Sequence, residues 1–356
     1  MTTIELDQPK VEAFGTYMLD VINHALVGFG LSVGTRTGLF DAMASLPPAT
    51  SEQVARAAGL NERYVREWLA LMATGRVIEY RATDGTYRLP PEHAAFSTTA
   101  AGPNNFAGFA TFLSMMGNVE DEIVDCFQNG GGVPYSRYAK FQELMAAESA
   151  NVYDSALLPN ILPIVPGLIE RLNGGIDVAD IGCGSGHAIN VMARAFPNSR
   201  FTGYDISAEG VAQGAREAAG WGLENARFVE VDVAKLDVAN AFDFVTAFDA
   251  IHDQAHPRKV LANIHRALRP GGTFLMADIA GSSNLEENLE HPMAPMFYGV
   301  SLFHCMTVSL ALDGEGLGTM WGEQKARELL AEAGFTGVEV TQVEGDIQNA
   351  YYIAQR

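Results

Sequence analysis

The chain has few cysteines: Cys126, Cys183 and Cys305 are three in 356 residues, an odd number without paired spacing. Such a set suits neither a disulfide framework nor a zinc-binding pattern, and reduced thiols in a cytoplasmic setting are the expectation. Basic charge is also scarce. Against 43 acidic residues stand 23 Lys and Arg, a net charge of −20, so the molecule repels polyanions and nucleic acid is not an expected partner. No run approaches the ~18 consecutive apolar residues of a membrane span; even the stretch 27–40 is broken by Gly and Arg. The first ten residues lack the basic and apolar regions of a signal peptide. What remains is an ordinary globular composition, 48% hydrophobic, and a length that suggests two domains, each able to bury a core.

The most informative residues are Asp180-Ile-Gly182-Cys-Gly184-Ser-Gly186, with Asp205 lying 19 residues beyond the last glycine. The stretch 178–181 reads as a buried strand, and 187–196 as an amphipathic helix with Ile189, Met192, Ala193 and Phe196 on one face. The glycines between them form a strand-to-helix turn in which bare backbone can adopt positive φ and lie against a ligand. A second strand, 200–204, ends at Asp205, whose carboxylate can accept both hydroxyls of a ribose held over the turn. A dinucleotide fingerprint would place its third glycine five residues after the first, where pyrophosphate meets the helix. Here that position is His187, and a pyrophosphate ligand is disfavoured.

Further elements follow in order. Asp232-Val233 comes after the strand 228–231, Phe248 closes the strand 242–247, and Arg269-Pro-Gly-Gly272 leads into the strand 273–278. Together these resemble the class I S-adenosylmethionine-dependent methyltransferases. The resemblance implies that S-adenosylmethionine is the cofactor and S-adenosylhomocysteine the product. It implies that Asp180 opens the cofactor-binding glycine motif, that Gly182 and Gly184 lie against the methionine and ribose parts, that Asp205, with Ile206 beside it, holds the ribose, that Asp232 and Val233 recognise adenine, and that Phe248 lies near the cofactor.

The first third has a different pattern. Residues 51–72 read as helix, turn and helix, with Ser51 and Asn61 as N-caps and Gly59 as the stop between them. The stretches 77–80 and 86–89, joined through Thr83-Asp-Gly85, read as a two-stranded wing. This is a winged helix. From Val33 to Phe96 it carries seven Arg, no Lys and seven acids, 7 − 7 = 0, whereas a DNA-reading module should be clearly basic. A winged helix followed by a methyltransferase fold resembles the small-molecule O-methyltransferases of plants and bacteria. That resemblance implies an α/β, Rossmann-like seven-stranded, mostly parallel sheet with its last strand antiparallel, preceded by a mainly helical winged-helix domain that dimerises. The expected division is a winged-helix and dimerisation domain over 1–96, a helical connecting region lining the substrate pocket over 97–172, and the cofactor-binding domain over 173–356. The apolar pattern of the first 32 residues, with Phe14, Met18, Ile22 and Leu26, fits a helix swapped onto a partner subunit or one packed on its own domain. Phe106, Phe109, Phe112, Met115, Met116 and Tyr135, and later Phe297, Tyr298, Phe303 and His304, suit an adaptable apolar pocket or plain core.

The chemistry centres on His252-Asp253-Gln254. In the resembling O-methyltransferases a His just after the fourth strand, usually followed by Asp-Trp, is the general base on the acceptor hydroxyl, and Asp278 falls where they carry a Glu that orients it. A second acid of that group aligns near Met320 and is absent. An unperturbed imidazole at ~6.5 meets a phenol at ~10 at a cost of about 5 kcal/mol for full proton transfer, while an aliphatic hydroxyl, like water at ~15.7, would cost about 12 kcal/mol. A phenol is therefore the easier acceptor. His252 as a cap or packing residue is the plain alternative, and no metal is implied, since His252, Asp253 and Asp249 do not repeat a ligand pattern. The expected function is methyl transfer to a small aromatic or apolar acceptor by a cytoplasmic homodimer, away from nucleic acid and membrane. The competitors are a winged-helix regulator with a nucleotide-sensing domain and a methyltransferase acting on nitrogen or carbon.

Overall fold

A computed structural model describes residues 6–138, 145, 150, 152–344, 346 and 348–356. The first five residues of the N-terminal apolar pattern, and positions 139–144, 146–149 and 151 of the connecting region, lie outside the described residues. The chain forms two compact units, Met1–Gly117 and Asn118–Arg356.

The first unit opens with α1 (Gln8–Thr37), capped by Asp7, whose side chain accepts from the Lys10 amide. Its C-terminal end is fixed by small residues: a Cβ on Gly34 would stand 2.5 Å from the Phe40 ring and 2.6 Å from Trp68, and the Trp68 indole donates to the Gly30 carbonyl. Its N-terminal two thirds expose Phe14, Tyr17, Met18, Ile22 and Leu26. By length and composition α1 is apolar enough to cross a membrane, a feature that a count of consecutive apolar residues overlooks because scattered polar positions break the run. After α2 (Leu39–Ala44), the winged-helix pattern appears as α3 (Ser51–Ala58), α4 (Glu62–Thr74) and a hairpin of β1 (Glu79–Arg81) and β2 (Thr86–Arg88). Gly59 closes α3 in the left-handed conformation at φ +67°, and Asn61 caps α4 by accepting from the Arg63 amide. Ser51 is not the cap of α3. Thr50 is, with a capping box in which the Gln53 side chain accepts from the Thr50 amide; Ser51 instead donates to Glu62 at 2.6 Å, linking the two helices. Phe106, Met115 and Met116 belong to this unit, in the short helices Phe106–Phe109 and Thr111–Gly117, with both methionines buried.

The second unit contains a seven-stranded sheet in the order β5-β4-β3-β6-β7-β9-β8. Its strands are β3 (Asp177–Ile181), β4 (Arg200–Asp205), β5 (Ala226–Glu230), β6 (Phe242–Phe248), β7 (Leu268–Ile279), β8 (Thr336–Thr341) and β9 (Asn349–Gln355). Pairings from β5 through β7 are parallel, and β9 runs antiparallel to both β7 and β8. Both faces of the central strands are buried, as parallel sheets require: Ile181, Val245 and Met276 enter one core and Val178, Phe244 and Leu275 the other. The helices α5 (His187–Ala195), α6 (Ala208–Gly220), α7 (Pro257–Ala267) and α8 (Gly322–Glu332) accompany the strands. The Arg269-Pro-Gly-Gly segment lies within β7 rather than before it, in a register irregularity opposite β6. Arg269 ties that bulge to Asp177 on β3 and Asp243 on β6. Strand order reverses between β4 and β6 around β3, so the crevice beyond the carboxyl ends of β3 and β6 is where a ligand of such a sheet binds.

Candidate active site

Two loops meet at that crevice. Gly182, Gly184 and Gly186 have φ of +71°, +52° and +73°, a conformation that side chains with a Cβ rarely adopt. A Cβ on Gly182 would meet Ala250 of the loop after β6 at 2.5 Å, and one on Gly186 would meet the Phe228 ring at 2.2 Å. Gly184 is different: nothing lies within 4 Å of the corresponding point, so its backbone faces open space in which a ligand can rest. The Gly184 amide donates to Asp205 Oδ2 at 2.7 Å and the Ser207 amide to Oδ1 at 2.8 Å. Burial raises the Asp205 pKa, with these amides pulling it the other way. The carboxylate therefore clamps the glycine turn while keeping further lone pairs for a diol. Asp180 is buried beneath the turn, accepts from the Thr246 hydroxyl at 2.6 Å and is pushed up to about 7 by desolvation.

At the N-terminus of α5 the His187 ring is held between Glu217 at 2.8 Å and Asp154 at 3.0 Å. Two carboxylates there oppose a diphosphate at the end where a helix would otherwise attract one. An adenosine-type ligand without phosphates fits this donor set. Of the other sequence-identified positions, Ile206 directly follows Asp205 and its backbone amide also bonds that carboxylate. Asp232 begins the short turn Val233–Lys235, where its carboxylate accepts from the Ala234 amide and pairs with Lys235 at 2.9 Å. Val233 is buried, Ile206 is exposed, and Phe248 is half-buried with its ring 5.4 Å from Tyr153.

His252 is buried in the turn after β6. Its Nδ1 lies 2.7 Å from Asp278 Oδ1 at the end of β7, and its Nε2 lies 3.3 Å from Asp253 Oδ1. Burial opposes the charged imidazolium, but the carboxylates of Asp278 and Asp253 outweigh it and hold the pKa well above its usual 6.5. The Trp321 indole donates to the same Asp278 oxygen at 3.0 Å, and the Tyr135 hydroxyl donates to Asp253 Oδ2 at 3.1 Å. Trp321 and the contact between Asp253 and Nε2 were not legible as site features. The nearest signal for Trp321 was its place beside Met320, where the resembling enzymes carry their second acid. His304 is buried edge-on to Tyr135 and Tyr138, with centroids at 5.5 and 4.7 Å, so the segment after β7 reaches the histidine cluster. Asp249, at φ +49° and raised to about 7 by burial, precedes it.

The sheet thus carries an open glycine turn after β3 and a buried His–Asp pair after β6. Residues 172–334 match the family model of a methyltransferase domain, and residues 25–99 match that of an Rv2258c-like winged HTH domain. The chain thus carries a methyltransferase domain, and with it the enzyme class, behind a winged-helix domain. Among curated relatives, a malonyl-[acyl-carrier protein] O-methyltransferase of Paenibacillus sp. (strain JDR-2) is 24% identical over 248 residues, 68% of this chain and 79% of that protein. A phthiotriol/phenolphthiotriol dimycocerosates methyltransferase of Mycobacterium tuberculosis is 31% identical over 113 residues, 32% of this chain and 41% of its own length. Among solved structures, a provisionally assigned O-methyltransferase of Nostoc punctiforme PCC 73102 superposes with a TM-score of 0.74 at 18% identity, over 96% of this chain and 98% of the other. Human N-acetylserotonin methyltransferase in complex with SAM gives 0.69 at 19%, over 100% and 99%.

Proposed function

We propose that this protein transfers a methyl group to a hydroxyl of a small aromatic or apolar acceptor, with His252 as general base and Asp278 as its positioning residue. The observation that carries the reading is the buried 2.7 Å contact between His252 Nδ1 and Asp278, itself gripped by Trp321. A carboxylate on Nδ1 fixes the proton there and leaves Nε2, which faces Asp253, as the nitrogen able to accept a proton. S-adenosylmethionine supplies a methyl group on a sulfonium whose positive charge disappears on transfer. His252 Nε2 would take the acceptor O–H proton, freeing the oxygen for the methyl group that bound S-adenosylmethionine would supply while leaving as S-adenosylhomocysteine. Placement supplies much of the acceleration, up to ~7–11 kcal/mol. The raised imidazole pKa narrows the gap to a phenol near ~10, at the cost that the base must first be deprotonated.

For the cofactor we assign Asp180, Gly182, Gly184 and Asp205 to the methionine and ribose side, with Ile206, Asp232, Val233 and Phe248 around ribose and adenine. Residues 1–96 serve as the winged-helix and dimerisation domain, 97–172 as the pocket-lining connection and 173–356 as the cofactor domain. A cytoplasmic homodimer suits the exposed apolar residues of α1 and the three free thiols. Incubation with methyl-labelled cofactor and a panel of phenols, amines and carbon acids tests the reading: label should enter a phenolic ether. Label only on nitrogen or carbon, the latter being the chemistry named for a sterol 24-C-methyltransferase that is 29% identical over 167 residues, would replace it.

A further inference from the structure

Cys305 reaches the histidine cluster through the irregular turn Ser301–Cys305, far downstream of His252 in the chain. One ligand atom from each of His252, Asp253 and Cys305 lies within 4.8 Å of the others. We propose that these three residues form a binding site for a divalent transition-metal ion, zinc foremost.

Four features of the cluster support this. First, ligand type: one imidazole nitrogen, one carboxylate oxygen and one sulfur are each ordinary zinc donors, at about 2.0–2.3 Å from the metal. Second, spacing: tetrahedral bonds of that length to nitrogen and oxygen separate the two ligand atoms by roughly 3.3–3.5 Å, and His252 Nε2 stands 3.3 Å from Asp253 Oδ1. Third, the ligands are themselves held, as metal ligands are. Asp278 grips Nδ1 of His252, which points Nε2 at the cluster, Trp321 grips Asp278, and Tyr135 donates to the other Asp253 oxygen. Fourth, Asp253 Oδ1 is buried and makes no hydrogen bond; its one close partner is the His252 ring at 3.3 Å, which is itself a member of the cluster. Three protein ligands leave a fourth position for water or an acceptor oxygen. Filling the site would take the Nε2 lone pair away from the proton; that consequence rests on the proposed base role, whereas the binding itself does not.

The test is a cobalt(II) titration of the untagged full-length protein followed by absorption, which needs no turnover and so succeeds or fails separately from the methylation assay. One equivalent should produce a near-ultraviolet thiolate-to-cobalt band that one equivalent of zinc abolishes. Cys305→Ser should lose the band, and Asp253→Asn should weaken cobalt affinity by ~10-fold or more. Absence of the band in the parent protein, its survival in Cys305→Ser, or unchanged affinity in Asp253→Asn would overturn the proposal. If Cys305→Ser does not fold, the parent spectrum and Asp253→Asn still decide.

Discussion

Asp180 sits 3% exposed under the glycine turn, and desolvation lifts its pKa from 3.8 to about 7. An acid whose folded pKa lies above its unfolded one binds a proton more readily in the fold. It therefore destabilises the protein as pH rises: not at all below about 4, increasingly between 4 and 7, and fully above 7. At ~1.4 kcal/mol for each pH unit, the difference caps this penalty at roughly 4 kcal/mol. Asp180→Asn removes the charge and keeps an oxygen to accept from Thr246. Against parent protein without cofactor, the variant should unfold at higher denaturant at pH 8, by an amount equivalent to ~2–4 kcal/mol, and the advantage should vanish near pH 4. Guanidinium unfolding at a series of pH values reads this directly, provided the slope with denaturant is unchanged. Adding S-adenosylhomocysteine should shrink the advantage at pH 8, because the methionine side assigned to this turn carries an ammonium that would stabilise the ionised acid. A difference that stays constant from pH 4 to 8, or a variant less stable at pH 8, would refute the electrostatic account of Asp180.

Asp205→Ala removes an acceptor that two backbone amides already share, so calorimetric affinity for S-adenosylhomocysteine should fall by ~1–3 kcal/mol; unchanged affinity would end its assignment to the ribose. Turnover on a phenol should rise with pH through a limb above 6.5, because only the neutral imidazole accepts a proton and two carboxylates hold its pKa up. Asp253→Asn removes one of those charges and should move the limb to lower pH; a limb that does not move would detach Asp253 from His252. His252→Ala should lower turnover and leave cofactor affinity nearly intact, and full activity in that variant would return His252 to a packing role.

The fold was legible because its signals are local. The glycine turn, the strand ending in Asp205 and the alternation of strands and helices depend on neighbours in sequence, and so does the winged-helix pattern with Gly59 between its helices. The failures were also local. Thr50 and Ser51 are both good caps by residue type, and only the helix start, with Gln53 closing on the Thr50 amide, separates them. Arg269-Pro-Gly-Gly has turn composition, yet it is absorbed into β7 because Arg269 is pinned by acids on β3 and β6, a tertiary contact that no local pattern contains.

The histidine cluster lies at the limit of that legibility. Its pieces come from five places in the chain: Tyr135, the turn after β6, the end of β7, the Ser301–Cys305 turn and Trp321 at the start of α8. A motif can point to His252 and Asp278, because each sits at a fixed distance from a strand end. It cannot show that Asp253 turns back onto Nε2, and that contact has two consequences. A carboxylate at 3.3 Å raises the basicity of the imidazole and also favours its protonated form, so an acceptor hydroxyl must compete with Asp253 for the one nitrogen that Asp278 leaves free. The histidine can act as a base only where the acceptor displaces that pairing, and the pH limb in Asp253→Asn measures how strongly the pairing resists.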